Sequence, residues 1–406
     1  MKKKRCLLYN GKVQGILFLI TIGIIGILVG MLAYQQCMSV ETDAPNYQAD
    51  TGVHLSMARR QVERNEIGYS FLQVIMKGFL QITNMSWQRA SVLTACMIAS
   101  CIVATVLLVC LWYTCIYKMK PNAKIYFFSL TSVFVSMIIL RYGQTISPNV
   151  WHNPTLILSR PFSIVVILCV YLIWKNHNEG KSTTKYLWIN SFFSVLSVWA
   201  KPSFLSTFLP TLCILLFIEL FCTKGKSFLI SFKLGVSFVP ILFVLGYQYF
   251  RLYMQNNSDN TIAVGGSISV DGWLILRSMF TSSAFFLVGW LILLFYKKTS
   301  KELLAFSGLW YAVSMWVRYA FRETGSRAND GNFVWGVIIM LFCVFVFVSG
   351  ELFIKPTPKN GRKIPKLIML GSAGLYGLHL IYGLYYFVRI FNGVSYEAGG
   401  TIFLNI

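Results

Sequence analysis

Apolar runs long enough to cross a bilayer as a helix, which takes about 20 residues, recur along almost the whole sequence and constrain its fold more than any other feature. Only 12% of the residues are charged, against about 25% in a typical soluble domain, so lipid must cover much of the exterior. The sequence therefore predicts an all-α fold, a polytopic membrane helix bundle that forms one transmembrane domain over residues 1–406. The predicted spans, about eleven in number, lie at 13–34, 91–117, 125–141, 155–174, 186–200, 203–222, 228–250, 272–296, 303–320, 333–354 and 367–390.

The basic residues predict how this bundle is oriented. Although the net charge is +22, Lys and Arg do not form one patch of the kind that binds nucleic acid, so we expect no nucleic-acid partner. They cluster between alternate apolar runs, as the residues of cytoplasmic loops do. The pattern predicts an integral protein of a bacterial plasma (inner) membrane, with its N-terminus cytoplasmic and its C-terminus outside. The clusters lie at 2–12, 118–124, 175–185, 224–226, 297–301 and 355–366.

The longest hydrophilic segment, residues 35–88, follows the first span and lies on the predicted outer face. Residues 53–65 alternate apolar and charged side chains at helical spacing, and residues 69–83 are apolar but too short to span. Both patterns predict helices that lie in the membrane interface. Gly26 and Gly30 form a GxxxG spacing within the first span, which predicts close packing of that helix inside the bundle. No separate soluble domain is predicted.

An acidic motif, Glu41-Thr42-Asp43, lies just beyond the first span. A carboxylate at the membrane boundary can act as a general base when its pKa lies near or below the working pH. The alternative interpretation is a solvated loop that happens to carry two acids.

Further along the predicted outer face, several side chains are suited to binding an anion or a sugar. Trp151 and His152 combine an aromatic face with a polar head, and Arg160 lies near the start of the following span. Lys201 lies between two apolar runs, where a buried cation needs an anion and an exposed one extends to the surface. A later loop is densely charged, and its residues can either bind a ligand or pair with one another. They include Glu323, Arg327 and Asp330.

Taken together, this layout resembles the GT-C superfamily of integral-membrane glycosyltransferases. Those enzymes have many helices, an acidic motif in the first outer loop, interfacial helices after it and an active site that faces outward. Here the acidic motif is Glu41-Thr42-Asp43, and the interfacial helices are those predicted at 53–65 and 69–83. The resemblance implies that a sugar arrives on a polyprenyl-phosphate carrier and is transferred, with inversion, to a glycan, lipid or protein acceptor at the outer face.

The resemblance also implies a role for each candidate residue. Asp43 would be the catalytic base, with Glu41 beside it. The groups that would hold the carrier phosphate are His152, Arg160, Lys201 and Arg327. The groups that would bind the sugar or the acceptor are His54, Trp151, Asn153, Glu323 and Asp330. No cofactor and no dedicated metal site are expected, although Glu41 and Asp43 could share a divalent cation.

Three other functions remain open at this point. A Wzy-type polysaccharide polymerase or ligase would depend on the outer Arg residues rather than on Asp43. A transporter or flippase for lipid-linked saccharides predicts discontinuous helices and charged groups deep in several spans. A membrane acyltransferase would depend on a histidine within the membrane such as His379, for which a packing role is the favoured interpretation.

Overall fold

The computed structural model describes residues 11–42, 47, 49–138, 148–254, 261–265, 272–296, 299–325, 332–356 and 362–394. Within these residues the regular secondary structure is helical except for one two-stranded ribbon. Two π-helical turns, Phe250–Met254 and Gly350–Ile354, extend α10 and α13. The elements are α1 (Gly11–Glu41), α2 (Asp50–Glu63), α3 (Phe71–Ile82), α4 (Trp87–Tyr117), α5 (Ala123–Ser132), α6 (Pro154–Asn178), α7 (Thr184–Ala200), α8 (Ser203–Cys222), α9 (Phe228–Phe238), α10 (Pro240–Tyr249), β1 (Ile262–Val264), α11 (Gly272–Phe295), α12 (Lys301–Ala320), β2 (Phe321–Glu323), α13 (Asn332–Ser349) and α14 (Lys366–Phe391).

Seven helices in the described residues are long and apolar enough to cross a membrane. The predicted all-α fold is therefore confirmed, and the length and composition of these helices support a membrane protein, whereas only part of the predicted set of about eleven spans meets this criterion. Helix α7 has 17 residues and α5 has 10, both fewer than the roughly 20 that a straight crossing needs. The seven are Gly11–Glu41, Trp87–Tyr117, Pro154–Asn178, Ser203–Cys222, Phe228–Leu252, Phe333–Ile354 and Lys366–Phe391.

Helices α1 and α4 run antiparallel and in close contact. A side chain at Gly26 would lie 3.1 Å from Val103, and one at Gly30 would lie 3.5 Å from Ala99. The GxxxG spacing is thus used for packing within the bundle, as predicted. The two helices define the ends of the molecule. We call the end where α1 finishes and α4 begins the site end, and the end where α1 begins and α4 finishes the far end.

The two short helices predicted after the first span are present as α2 and α3, and they lie across the site end. Their apolar faces bury Leu55 and Leu72 completely, in a cluster that also contains Cys37 of α1 and Trp87 of α4. The indole N–H of Trp87 donates to the carbonyl of Cys37 at 3.2 Å. Ser70 is the N-cap of α3, and its hydroxyl accepts from the backbone N–H of Gln73. The pair is therefore fixed to the spans beneath it by apolar contact.

The span predicted at 125–141 is wrong as a continuous helix. Helix α5 ends at Ser132; residues 134–138 are not helical, and 134–137 are buried. A non-helical backbone within a membrane must find its hydrogen bonds inside the protein. His379 of α14 provides them, because its Nδ1 lies 2.7 Å from the carbonyl of Ser136 and its own carbonyl accepts from the N–H of Ser136. The packing role favoured for His379 is consistent with these contacts.

Helix α13 is the central helix, with 94% of its apolar window buried. Just before it, β2 pairs antiparallel with β1, with Ile262 opposite Glu323. The ribbon and the first turn of α13 lead into the site end.

Candidate functional site

Three side chains from three parts of the chain meet at the site end, and a fourth lies near them. Trp335 of α13 is the centre of the group: the ring of His152 lies 5.2 Å from its ring, and the Lys201 ammonium lies 5.2 Å from the same ring. His54 of α2 lies near enough to Lys201 for the ammonium charge to lower the pKa of the imidazole. Of the predicted candidates, the structure therefore brings His54, His152 and Lys201 together, and it adds Trp335. We call these four residues the Lys201 cluster.

Hydrogen bonds between α2 and the start of α6 position this cluster. The backbone N–H of Asp50 donates to the carbonyl of His152 at 3.1 Å. The Asn153 amide donates to the Asp50 carboxylate at 3.0 Å, while its oxygen accepts from the N–H of Leu156 at 3.2 Å. Asn153 is thus the N-cap of α6 as well as the link to α2. This assigns Asn153 a positioning contact, where the sequence indicated sugar binding.

A second contact from α1 holds the same segment. The Gln36 amide donates to the carbonyl of Trp151 at 3.0 Å and accepts from the hydroxyl of Thr51 at 2.7 Å. The Trp151 ring itself faces the opposite way and packs on Phe134 and Phe387 at 5.6 and 4.9 Å between ring centroids. Trp151 is 1% exposed, so its ring is part of the packed interior in this arrangement.

Burial decides the charge of the two histidines. Burial, together with the nearby Lys201 ammonium, lowers the pKa of His54 to about 3. The same two causes, in the same order, lower the pKa of His152 to about 3. Both imidazoles are therefore neutral near pH 7, and each can donate one hydrogen bond and accept another. The amide nitrogen of Gln73 lies 3.5 Å from His54 Nδ1 and orients that ring.

Arg160 lies deeper in the bundle than the Lys201 cluster. Its guanidinium lies 4.6 Å from the ring of Phe342, which follows Trp335 on α13 by about two helical turns, or roughly 10 Å. It donates to the Asn149 side chain at 3.3 Å and is 1% exposed. The structure therefore does not bring Arg160 to the same place as His152 and Lys201.

The remaining candidates fall at the edge of the described residues. Glu41 is exposed as the last residue of α1, and Glu323 is buried at the end of β2. Asp43, Arg327 and Asp330 lie outside the described residues. Within the described part of the chain, no group of three or more His, Cys, Asp or Glu side chains is arranged to hold a metal ion.

No protein-family model and no curated protein sequence matches this chain. The chemistry of the site must therefore be argued from its own residues.

Trp335, Asp50 and Gln73 belong to this site and were not among the predicted residues. Trp335 lies within the span predicted at 333–354, and Gln73 within the interfacial helix predicted at 69–83. Asp50 had a signal in the sequence, because acidic residues favour the first turn of a helix and Asp50 begins α2.

The arrangement combines a cation, two neutral imidazoles and an indole ring. An ammonium attracts a phosphate as a point charge, and neutral imidazoles add hydrogen bonds without adding charge. An indole gives an apolar face to a sugar ring. Such a group can hold a phosphate and an adjacent sugar at the boundary of the membrane.

Proposed function

We propose that this protein is a membrane glycosyltransferase that takes a sugar from a polyprenyl-phosphate carrier and transfers it to a glycan, lipid or protein acceptor. The observation that supports the proposal most directly is the Lys201 cluster. It lies at the end of the bundle where α1 ends with Glu41, and Asp43 follows Glu41 by two positions in the sequence.

In this proposal Asp43 removes the proton from the acceptor hydroxyl, whose oxygen attacks the anomeric carbon with inversion. The bond between that carbon and the carrier phosphate breaks, and the lipid phosphate leaves with the electron pair. Lys201 and the neutral His152 stabilise the charge that develops on the phosphate. His54 and Trp335 contact the sugar. Arg327 is proposed to bind the carrier phosphate, and Glu323 and Asp330 are proposed to bind the sugar or the acceptor.

Glu41 and Asp43 are the pair that would hold a divalent cation if the enzyme uses one. A monophosphate carrier has no obligatory need for a metal, and the proposed charge stabilisation rests on Lys201 and His152.

We further propose that the site end faces outward from a bacterial plasma membrane, with the N-terminus cytoplasmic and the C-terminus outside. The full set of about eleven crossings then includes α7, α11 and α12 and one broken crossing. Tyr126 of α5 stacks on Phe18 near the start of α1, whereas the carbonyl of Trp151 contacts Gln36 near its end. Tyr126 therefore lies toward the far end and Trp151 toward the site end, and the described chain after Tyr126 is the rest of α5 followed by the non-helical residues 133–138.

Sugar transfer in proteoliposomes tests this function. Wild type, Asp43→Asn and Arg59→Gln would be supplied with a panel of radiolabelled polyprenyl-phosphate sugars and a membrane extract as acceptor source. Arg59 is an exposed residue of α2 that pairs with Glu63 and also lies at the site end. It is the matched control, because the proposal gives it no role in transfer. We expect transfer by wild type and by Arg59→Gln, and loss of transfer in a folded Asp43→Asn variant. Equal transfer by all three would remove Asp43 from catalysis.

A second candidate is transport of a lipid-linked saccharide, and two observations favour it. Helix α5 is discontinuous, and Arg160 is a charged residue deep in the bundle; both features are typical of transporters. A fluorescent lipid-linked saccharide in the same proteoliposomes separates the two functions. Movement between leaflets without any transfer of sugar would favour transport, and the reverse would favour the transferase.

A further inference from the structure

The far end of the bundle contains a large cavity that the proposed function does not use. Its volume is about 310 Å³, and helices α4, α6, α8, α9, α12 and α13 surround it. Leu212, Phe306 and Cys343 are typical of its walls, which are almost entirely aliphatic or aromatic. Because these walls belong mostly to helices of membrane-spanning length, the medium around the cavity is lipid, and an apolar chain is the occupant that such walls accept.

The position of Trp112 relates the cavity to the depth of the bilayer. At about 1.5 Å per residue, the 31 residues of α4 extend roughly 46 Å, against a hydrocarbon core of about 30 Å. Trp112 lies five residues before the end of α4 at Tyr117, or roughly 8 Å along the axis. With α4 centred on the hydrocarbon core, this depth is the boundary between hydrocarbon and headgroups, where the ester carbonyls of glycerolipids lie.

Trp112 also has an unused donor. The residue lines the cavity and is 6% exposed, and its indole N–H has no hydrogen-bond partner in the part of the protein that the structure describes. A buried donor without an acceptor is unfavourable. A lipid ester carbonyl at this depth would be such an acceptor.

The charged residues at the cavity indicate which headgroup lies there. Among the described residues, every charged side chain that lines the cavity is acidic: Glu219, Glu302 and Glu351. Glu351 is 1% exposed and pairs with Lys355 at 2.7 Å, so Glu219 and Glu302 are the lining carboxylates that form no salt bridge with another described residue. Carboxylates repel an anionic headgroup and attract an ammonium group.

We propose that this cavity binds one acyl chain of an aminophospholipid, with its ester carbonyl at Trp112 and its ammonium headgroup near Glu219 and Glu302. The site is separate from the Lys201 cluster, and its ligand is not the anionic sugar carrier.

Native mass spectrometry of the protein purified in a mild detergent tests the proposal. We expect wild type to retain one aminophospholipid per chain. Leu212→Trp would fill the cavity and lower retention at least tenfold, and the smaller Leu212→Phe provides the same test if the larger change prevents folding. Leu111→Trp is the matched control, because Leu111 faces outward on α4 with 48% exposure.

Two further variants test the headgroup and the ester contact. Glu219→Gln combined with Glu302→Gln is expected to reduce the preference for aminophospholipid over anionic lipid several-fold. Trp112→Phe should weaken retention, whereas Trp188→Phe, at a 74% exposed position, should not. Equal retention by the Leu212 variants and the Leu111 control would overturn the site. Retention of an anionic lipid or a polyprenyl phosphate in its place would overturn the assigned occupant, as would a wild type that neither retains nor rebinds aminophospholipid in nanodiscs.

Discussion

The two ends of this bundle hold their helices together in different ways. At the site end, polar side chains of α1, α2 and α6 bond to one another across element boundaries, through Gln36, Thr51, Asp50 and Asn153. At the far end, α6 and five other helices surround a 310 Å³ cavity with apolar walls. Lipid is as apolar as the walls, so no hydrophobic force closes such a gap, and polar contacts are needed wherever atoms must hold fixed positions. The difference places the rigid part of the molecule where chemistry is proposed.

The largest effect is expected at Lys201. Lys201→Met keeps the length and apolar stem of the side chain but removes the charge, so transfer should fall about 100- to 1000-fold, as when one stabilising donor is lost from an active site. Initial rates in proteoliposomes measure this.

The control for Lys201 is Lys77→Met. Lys77 also lies at the site end, on α3, but its ammonium donates to the Glu66 carbonyl rather than joining the cluster. A rate for Lys201→Met within a few-fold of that control would contradict the proposed role of the ammonium.

A pair of leucines sharpens the contrast in packing. Leu72 is fully buried beneath α2 and α3, so Leu72→Ala should destabilise the protein by about 2–5 kcal/mol. Leu212 already borders the cavity, so Leu212→Ala removes fewer contacts and should cost less than half as much. Thermal unfolding in detergent compares the two, and equal losses would mean that the far end is as tightly packed as the site end.

Acid should loosen the site end selectively. The pKa values of His54 and His152 fall from about 6.5 to about 3 on folding, so the unfolded chain binds more protons between these limits. Stability is therefore constant above about pH 6.5 and decreases as the pH falls toward 3, by at most about 1.4 kcal/mol per pH unit for each histidine. His152→Gln should reduce this slope in unfolding experiments, whereas His177→Gln, at an exposed position, should leave it unchanged.

The smallest effect concerns two helix caps. Asn153→Ala and Asn122→Ala each remove an N-cap, which is worth about 0.5–2 kcal/mol. Asn122 caps α5 at the far end without contacting Asp50. Asn153 also loses its bond to the Asp50 carboxylate, so its variant should be the less stable of the two. The same order should appear in apparent unfolding temperatures; the reverse order would make the link to α2 unimportant.

The apolar pattern predicted most helices of the fold because span length and composition are local properties. The run predicted at 228–250 is the span Phe228–Leu252, and 53–65 and 69–83 became α2 and α3. The pattern failed over 125–141, because the end of α5 at Ser132 depends on His379, which lies on a helix far along the chain.

The site was predicted in part for the same reason. His54, His152 and Lys201 were recognised because polar residues stand out on an apolar background, and their convergence is a property of the fold. Trp335 could not be distinguished by sequence from the other aromatic residues of the spans. Arg160 was expected beside His152. However, His152 contacts Trp335 and Arg160 contacts Phe342, and the rise of α13 separates these two aromatic residues.

The break in α5 has a consequence for how the protein is made. Ser136 depends for its backbone hydrogen bonds on a histidine 243 residues later in the sequence. A ribosome completes residues 134–138 long before it synthesises α14. Until the last helix is inserted, this segment must stay at the translocon or at the membrane surface, or form its hydrogen bonds with water. Final closure of the bundle around α5 is therefore a late event of biogenesis. In a chain truncated before α14, the backbone of Ser136 would lack its hydrogen-bond partners on His379.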